Sequence, residues 1–192
     1  MIQMNKVLAY LNAWRFLPHY CLYLKHRKII DKDLQRAQVS SSIFFQLYKF
    51  RDFRALFFHR CAKDNELAVK ILAFFTPPII DLYIRRKCTI GPGCLFIHCH
   101  AAHINAESIG DNFKCFHLVT IGANENTKSL PVIGNNVSVY TGAVIVDGIR
   151  IGNNVKIGAN SVVTKNVPDN CTVIGNPAYI VKLNGKKCHI SL

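Results

Sequence analysis

The chain is 192 residues long, half of them hydrophobic, with 24 Lys and Arg against 11 Asp and Glu and a formal net charge of +13. That is enough for one or two domains with a sizeable core, and the cationic excess favours an anionic partner: a phosphorylated cofactor, an acidic polymer or a membrane surface. Nucleic acid is set aside because the basic residues are scattered and no recognisable binding motif occurs. A membrane span is excluded because Arg15, His19, Lys25 and Arg27 interrupt the longest apolar candidate.

Residues 1–80 show no six-residue period and read as a small α-helical N-terminal domain rich in aromatic and basic side chains, as in Phe44 to Arg51. Val7 to Leu24 reads as a buried helix of that domain, with peripheral contact on a bilayer surface as the alternative. It does not resemble a secretory signal, since the basic start is weak and no small-residue cleavage site comes after an apolar run. Asn65 to Phe75 is a further helix, stopped by Thr76-Pro77-Pro78.

A different rule governs residues 81–178. Ile109, Cys115, Ile121, Ile133, Val139, Ile145, Ile151, Ile157 and Val163 recur at six-residue steps, broken only by Thr127. Gly comes next at Gly110, Gly122, Gly134, Gly152 and Gly158, and small or apolar residues recur four places on, as Phe113, Val119, Val137, Ala143, Ile149 and Val155. A period of six fits a triangular solenoid in which each unit makes one flat side and one corner. The series extends upstream through Ile90, Phe96 and Ala102, with a one-residue slip before Ile109. About four coils result. The missing unit is a polar loop between Gly122 and Pro131. Pro168-Asp169-Asn170 turns the chain, Gly175-Asn176-Pro177 closes the solenoid, and residues 179–192 form a basic tail.

Histidines gather at His98, His100 and His103, and His117 comes after them. His98 lies two residues after Phe96 and His117 two after Cys115, so the two are expected at equivalent places on adjacent coils, with Thr141 and Ala159 continuing the line. An imidazole that titrates near neutrality, beside a groove lined by small residues, suits a general base acting on a thin, extended substrate. The plain alternative is surface histidines without a role. The eight cysteines include no C-x-x-C pair, and Cys94 and Cys115 fall where small hydrophobes belong, so they are expected to be reduced and the protein cytoplasmic.

Ile157 to Pro168 and Val173 to Ala178, together with Val119-Thr120-Ile121-Gly122 and His98, resemble the serine acetyltransferase branch of the hexapeptide acyltransferases. The resemblance covers residues 84–182 and implies a left-handed parallel β-helix, acetyl-CoA as co-substrate, and a homotrimer with active sites between subunits. It implies His98 as catalytic base. Gly122, Thr141, Ala159, Thr164 and Lys165 match positions along the CoA arm, while His117, His100 and Asn105 are assigned to the groove and acceptor. No resident metal is expected.

The departures bear on the acceptor. An Asp commonly precedes the catalytic His in that branch, and here the place is Ile97. The branch's loop carries an Arg-His pair for a carboxylate, and this loop reads Lys128-Ser129-Leu130-Pro131. The acid that orients the His aligns with Tyr83, and Asp81 is the candidate substitute. A sugar or capsular or exopolysaccharide hydroxyl is therefore the expected acceptor, with serine as the alternative. More distant alternatives are a non-catalytic scaffold, a metalloenzyme like the γ-class carbonic anhydrases using His98 and His103, and a covalent route through Cys99.

Overall fold

The computed structural model describes residues 7–8, 10–37, 42–125 and 128–192, and its contacts divide the chain into two units, Met1–Ile80 and Asp81–Leu192. In the first unit a 3₁₀ turn, Ala13–Phe16, leads into α1 (Leu17–Arg36), and then come α2 (Ile43–Lys49), α3 (Arg51–Ala62) and α4 (Glu66–Phe75). Pro18 sits in the first turn of α1, where its missing N–H costs no intrahelical bond. The Ser42 hydroxyl caps α2 by accepting from the Phe45 N–H at 3.4 Å. Helix α4 ends at the expected Thr76-Pro77-Pro78 break.

Phe16, Leu22, Tyr23, Ile30, Leu47, Phe57, Phe58 and Cys61 share the core of this unit. Within it Arg60 donates twice to Asp33, each bond 3.1 Å. Both side chains are buried, so removing one partner strands the other charge. His19 is also buried. Its Nε2 lies 2.8 Å from Thr76 Oγ1, which itself donates to Leu72 O at 2.7 Å.

Val7 to Leu24 is not the buried helix expected. Phe16, His19, Leu22 and Tyr23 face the core, but Trp14 is 70% and Leu17 57% exposed, because this stretch is apolar on more than one side and the core takes only one. Ala9 lies outside the described residues. Among the described residues no helix is long and apolar enough to cross a membrane.

The second unit is a parallel β-solenoid of three sheets. The first holds β1 (Leu82–Ile84), β4 (Ala102–Ile104), β7 (Thr120–Gly122), β10 (Val144–Val146) and β13 (Val162–Val163) in that order. The second holds β2 (Thr89–Ile90), β5 (Ser108–Ile109), β8 (Val132–Ile133) and β11 (Arg150–Ile151). The third stacks β3 (Leu95–Phe96), β6 (Lys114–Cys115), β9 (Ser138–Val139), β12 (Lys156–Ile157) and β14 (Cys171–Ile174). Residues 179–192 are not a free tail: β15 (Tyr179–Leu183) and β16 (Lys186–Ser191) add to the third sheet as antiparallel strands.

Every residue of the six-step series is buried, from Ile109 to Val163. Ile109, Ile133 and Ile151 pair in register down the second sheet, and Cys115, Val139 and Ile157 down the third. The corner between these sheets explains the repeated glycine: a Cβ on Gly134 would lie 2.8 Å from the backbone of Gly152. Asn112, Asn136, Asn154 and Asn170 take the left-handed region at these corners, with φ of 57°, 56°, 56° and 59°. Their side-chain amides bond coil to coil at 3.0, 3.0 and 2.9 Å.

One phase assignment changes. Ala102 is buried, but it is Ile104 that pairs with Ile121 in the inward column of the first sheet. The corner between Phe96 and Ile104 is longer than its successors, and the side after it is shorter by one. The slip expected just before Ile109 is thus divided between two places.

Candidate functional site

The long corner carries the histidines. His98 and Ala101 both take left-handed backbone, each with φ 47°, and the His100 N–H donates to His98 O at 2.8 Å. This tight turn absorbs the additional residues and shifts the register of the strand after it. Leu118 N donates to His100 O at 3.0 Å, Gly142 N to His117 O at 3.1 Å, and Asn160 N to Thr141 O at 2.9 Å. The line along this edge is therefore His100, His117, Thr141 and Ala159. His98 does not occupy the place equivalent to His117, because the inserted turn moves it out of phase.

The rings of His100 and His117 stack with centroids 5.0 Å apart and planes 10° from parallel. His98 and His100 are exposed. His117 is half-buried, and its Nδ1 is buried with no hydrogen-bond partner. Asp81 reaches the same corner: its Oδ2 accepts from the Ala101 N–H at 3.0 Å, and its main-chain oxygen from the Ala102 N–H at 3.1 Å. The carboxylate that was expected to orient His98 is thus tied to the turn that carries His98. Tyr83, which aligns with the usual acid, instead stacks on His103 at 4.5 Å on the outer face of the first sheet. That places His103 on a strand face and His98 in the corner, and among the described residues no three His, Cys, Asp or Glu side chains gather as metal donors.

The opposite edge of the first sheet carries the other expected residues. Register places Asn105, Gly122, Val146 and Thr164 one above another. A Cβ on Gly122 would meet nothing within 4 Å, so packing does not require glycine there and its lack of a side chain leaves open space. The loop leaves the solenoid at this edge. The Asp147 N–H donates to Gly122 O at 3.1 Å, and Asn124 Nδ2 lies 3.4 Å from Asp147 Oδ2. The loop residues Asn126 and Thr127 lie outside the described residues. An open depression of ≈ 480 Å³ forms between loop residue Ser129, the turn Asp147 to Ile149, and Thr164 to Asn166. Lys165 is exposed at its rim and donates from Nζ to Leu192 O at 2.6 Å.

The residues expected along a CoA arm therefore fall on both edges of the first sheet, Thr141 and Ala159 on one, Gly122, Thr164 and Lys165 on the other. The sequence pattern named Ser129 only as a departure in the loop and did not single out Asp147. The Asp147-Gly148 dipeptide, a turn signal inside the ladder, was the available cue. Cys99 is fully buried against Cys115, Sγ to Sγ 3.7 Å, with Phe116 O 3.4 Å away. Burial pushes the Cys115 thiol well up, with the contact from Cys99 adding to it. A buried thiol in such a setting is a packing residue and not a nucleophile.

Residues 131–165 match the family model described as bacterial transferase hexapeptide (six repeats). The chain is similar to a serine acetyltransferase of Staphylococcus aureus strain Mu50, 46% identical over 80 residues, which is 41% of this chain and 38% of that one. The match thus spans well under two thirds of that relative. Among solved structures, the Neisseria gonorrhoeae serine acetyltransferase is 28% identical with a TM-score of 0.69, covering 86% of this chain and 69% of that one. The same enzyme in complex with serine is 26% identical, TM-score 0.66, over 83% and 70%. A Brucella abortus serine acetyltransferase in complex with coenzyme A shares the fold at 24% identity, TM-score 0.68, over 90% and 74%.

Proposed function

We propose that the chain is a hexapeptide-repeat acyltransferase of the serine acetyltransferase-like branch, an O-acetyltransferase moving an acetyl group from acetyl-CoA to the hydroxyl of serine; the match of residues 131–165 to the hexapeptide model and the 46% identity over 80 residues support the reading. The observation that carries the reading is the histidine corner: the exposed imidazole of His98 held in a left-handed turn at one edge of the solenoid, beside a line that runs from His100 and His117 to the smaller Thr141 and Ala159.

In this proposal His98 takes the proton of the acceptor hydroxyl while the hydroxyl oxygen attacks the thioester carbonyl. The C–O bond forms, the C–S bond breaks, and the imidazolium returns its proton to the departing sulfur. Asp81 acts through Ala101, holding the turn. The space over Gly122 and the cation of Lys165 beside the depression suit a phosphorylated, pantetheine-bearing co-substrate. Because the fitting residues lie on two edges, we place each site between neighbouring solenoids of a homotrimer. Six of the eight cysteines are buried as small packing residues, which supports the cytoplasmic reading.

The compared relatives are serine acetyltransferases, and one is solved with serine, which favours serine over the polysaccharide hydroxyl expected from Ile97 and Lys128-Ser129. Thiol-release kinetics with serine, simple sugars and acidic polysaccharides test the choice. Serine should support turnover; release with a glycan alone overturns the acceptor, and release with none returns the chain to a non-catalytic scaffold.

A further inference from the structure

Exposed large apolar side chains concentrate in the helical unit, and one stripe of them is continuous in sequence. Val7, Tyr10, Trp14, Leu17 and Leu24 are 56%, 64%, 70%, 57% and 51% exposed. They recur at three- and four-residue spacings in the sequence, across the 3₁₀ turn Ala13–Phe16 and into α1, with exposed Cys21 at the remaining place and exposed Leu8, Leu11 and Tyr20 beside them. The other side of the same segment already supplies Phe16, His19, Leu22 and Tyr23 to the core, so this stripe is surplus to the fold of its own unit. Apolar patches of this extent are unusual on a protein surface unless something covers them.

Charge selects the occupant. Arg15, Lys25, Arg27 and Lys28 are exposed along this segment, and no Asp or Glu precedes Asp31 in the chain. Among the described residues, Arg27 alone of these has an acidic partner, Asp31 at 3.2 Å. The same stripe of a second copy laid against it would bring cations to cations. A bilayer rich in anionic headgroups meets both halves of the pattern: Tyr10 and Trp14 are residue types suited to the headgroup boundary, and the cations stand at the lipid phosphates. With no helix among the described residues both long and apolar enough to cross a membrane, the segment would lie on the surface.

We infer that the helical unit docks on anionic membranes through the stripe from Val7 to Leu24. The inference does not depend on the catalytic proposal.

Trp14 is the chain's single tryptophan, so its fluorescence reads the contact directly in the intact 192-residue chain. On addition of phosphatidylcholine vesicles containing phosphatidylglycerol, its emission should shift to the blue and become shielded from iodide, while pure phosphatidylcholine has little effect and added salt reverses the shift. Arg15→Glu, Lys25→Glu and Lys28→Glu should each weaken partitioning at least about fivefold. Leu17→Ser with Leu24→Ser, checked for unchanged circular dichroism, should abolish it. Three results overturn the inference: no response to anionic vesicles, an equal response to neutral ones, or a shift produced by raising protein concentration without lipid, which would mark a second copy as the occupant.

Discussion

His100 and His117 lie face to face at 5.0 Å on neighbouring coils, and that stack separates the roles of the three histidines around the corner. Two of the imidazoles form the wall of the edge; His98, in the left-handed turn beside them, is the one we propose as base. His98→Ala should therefore lower acetyl transfer by about 10²- to 10⁴-fold while acetyl-CoA binding and assembly persist. His100→Ala and His117→Ala should cost much less. Steady-state kinetics on the three variants decide it, and a full-strength His98→Ala beside a dead His100→Ala would move the base to the stacked pair.

Asp81 separates a positioning role from a charge role. Asp81→Asn keeps an oxygen able to accept from Ala101 N–H, so its activity should stay near that of the parent. Asp81→Ala removes the acceptor and should lower kcat with little change in KM. Loss of activity in Asp81→Asn would show that the negative charge acts on His98 itself.

Lys165 borders the depression below Thr164. Lys165→Ala should raise the KM for acetyl-CoA several-fold, with kcat less affected, and the effect should shrink as salt rises, since an exposed cation meeting phosphate is screened. Initial rates at two ionic strengths read this out; an unchanged KM removes Lys165 from the co-substrate site.

The asparagine ladder makes a stability prediction. Asn154→Ala loses the side-chain bonds to Asn136 and Asn170 and must hold φ 56° with an alanine, for a cost of about 2 kcal/mol. Asn154→Gly loses the same bonds without the backbone strain and should melt at a temperature between those of the parent and the alanine variant. Thermal denaturation of the pair checks the order.

Burial first, and then the positive charge of Arg54, lower the pKa of His19 from 6.5 to about 4. Protonation therefore favours the unfolded chain. The contribution of neutral His19 is complete above pH 6.5 and is lost as pH falls from there through about 4. Its upper bound is about 3 kcal/mol. Urea midpoints measured across that range should fall for the parent and fall less for His19→Phe.

The sequence by itself determined the solenoid, because a core that admits one side chain per wall forces an apolar residue at every sixth place, and packed coils leave no Cβ room where Gly134 meets Gly152. It also marked the break at Thr76-Pro77-Pro78 and the departure of the loop after Gly122. Counting could not show where the slip between Phe96 and Ile109 would be taken up. The tertiary structure places it in the turn of His98 and Ala101, where backbone hydrogen bonds to the next coil fix the register, and so gives His117 the neighbour His100 instead of His98. The exposure of Trp14 and Leu17 was likewise beyond composition: an apolar helix has as many candidate inner faces as it has sides, and only packing against α2 and α3 decides which one is covered.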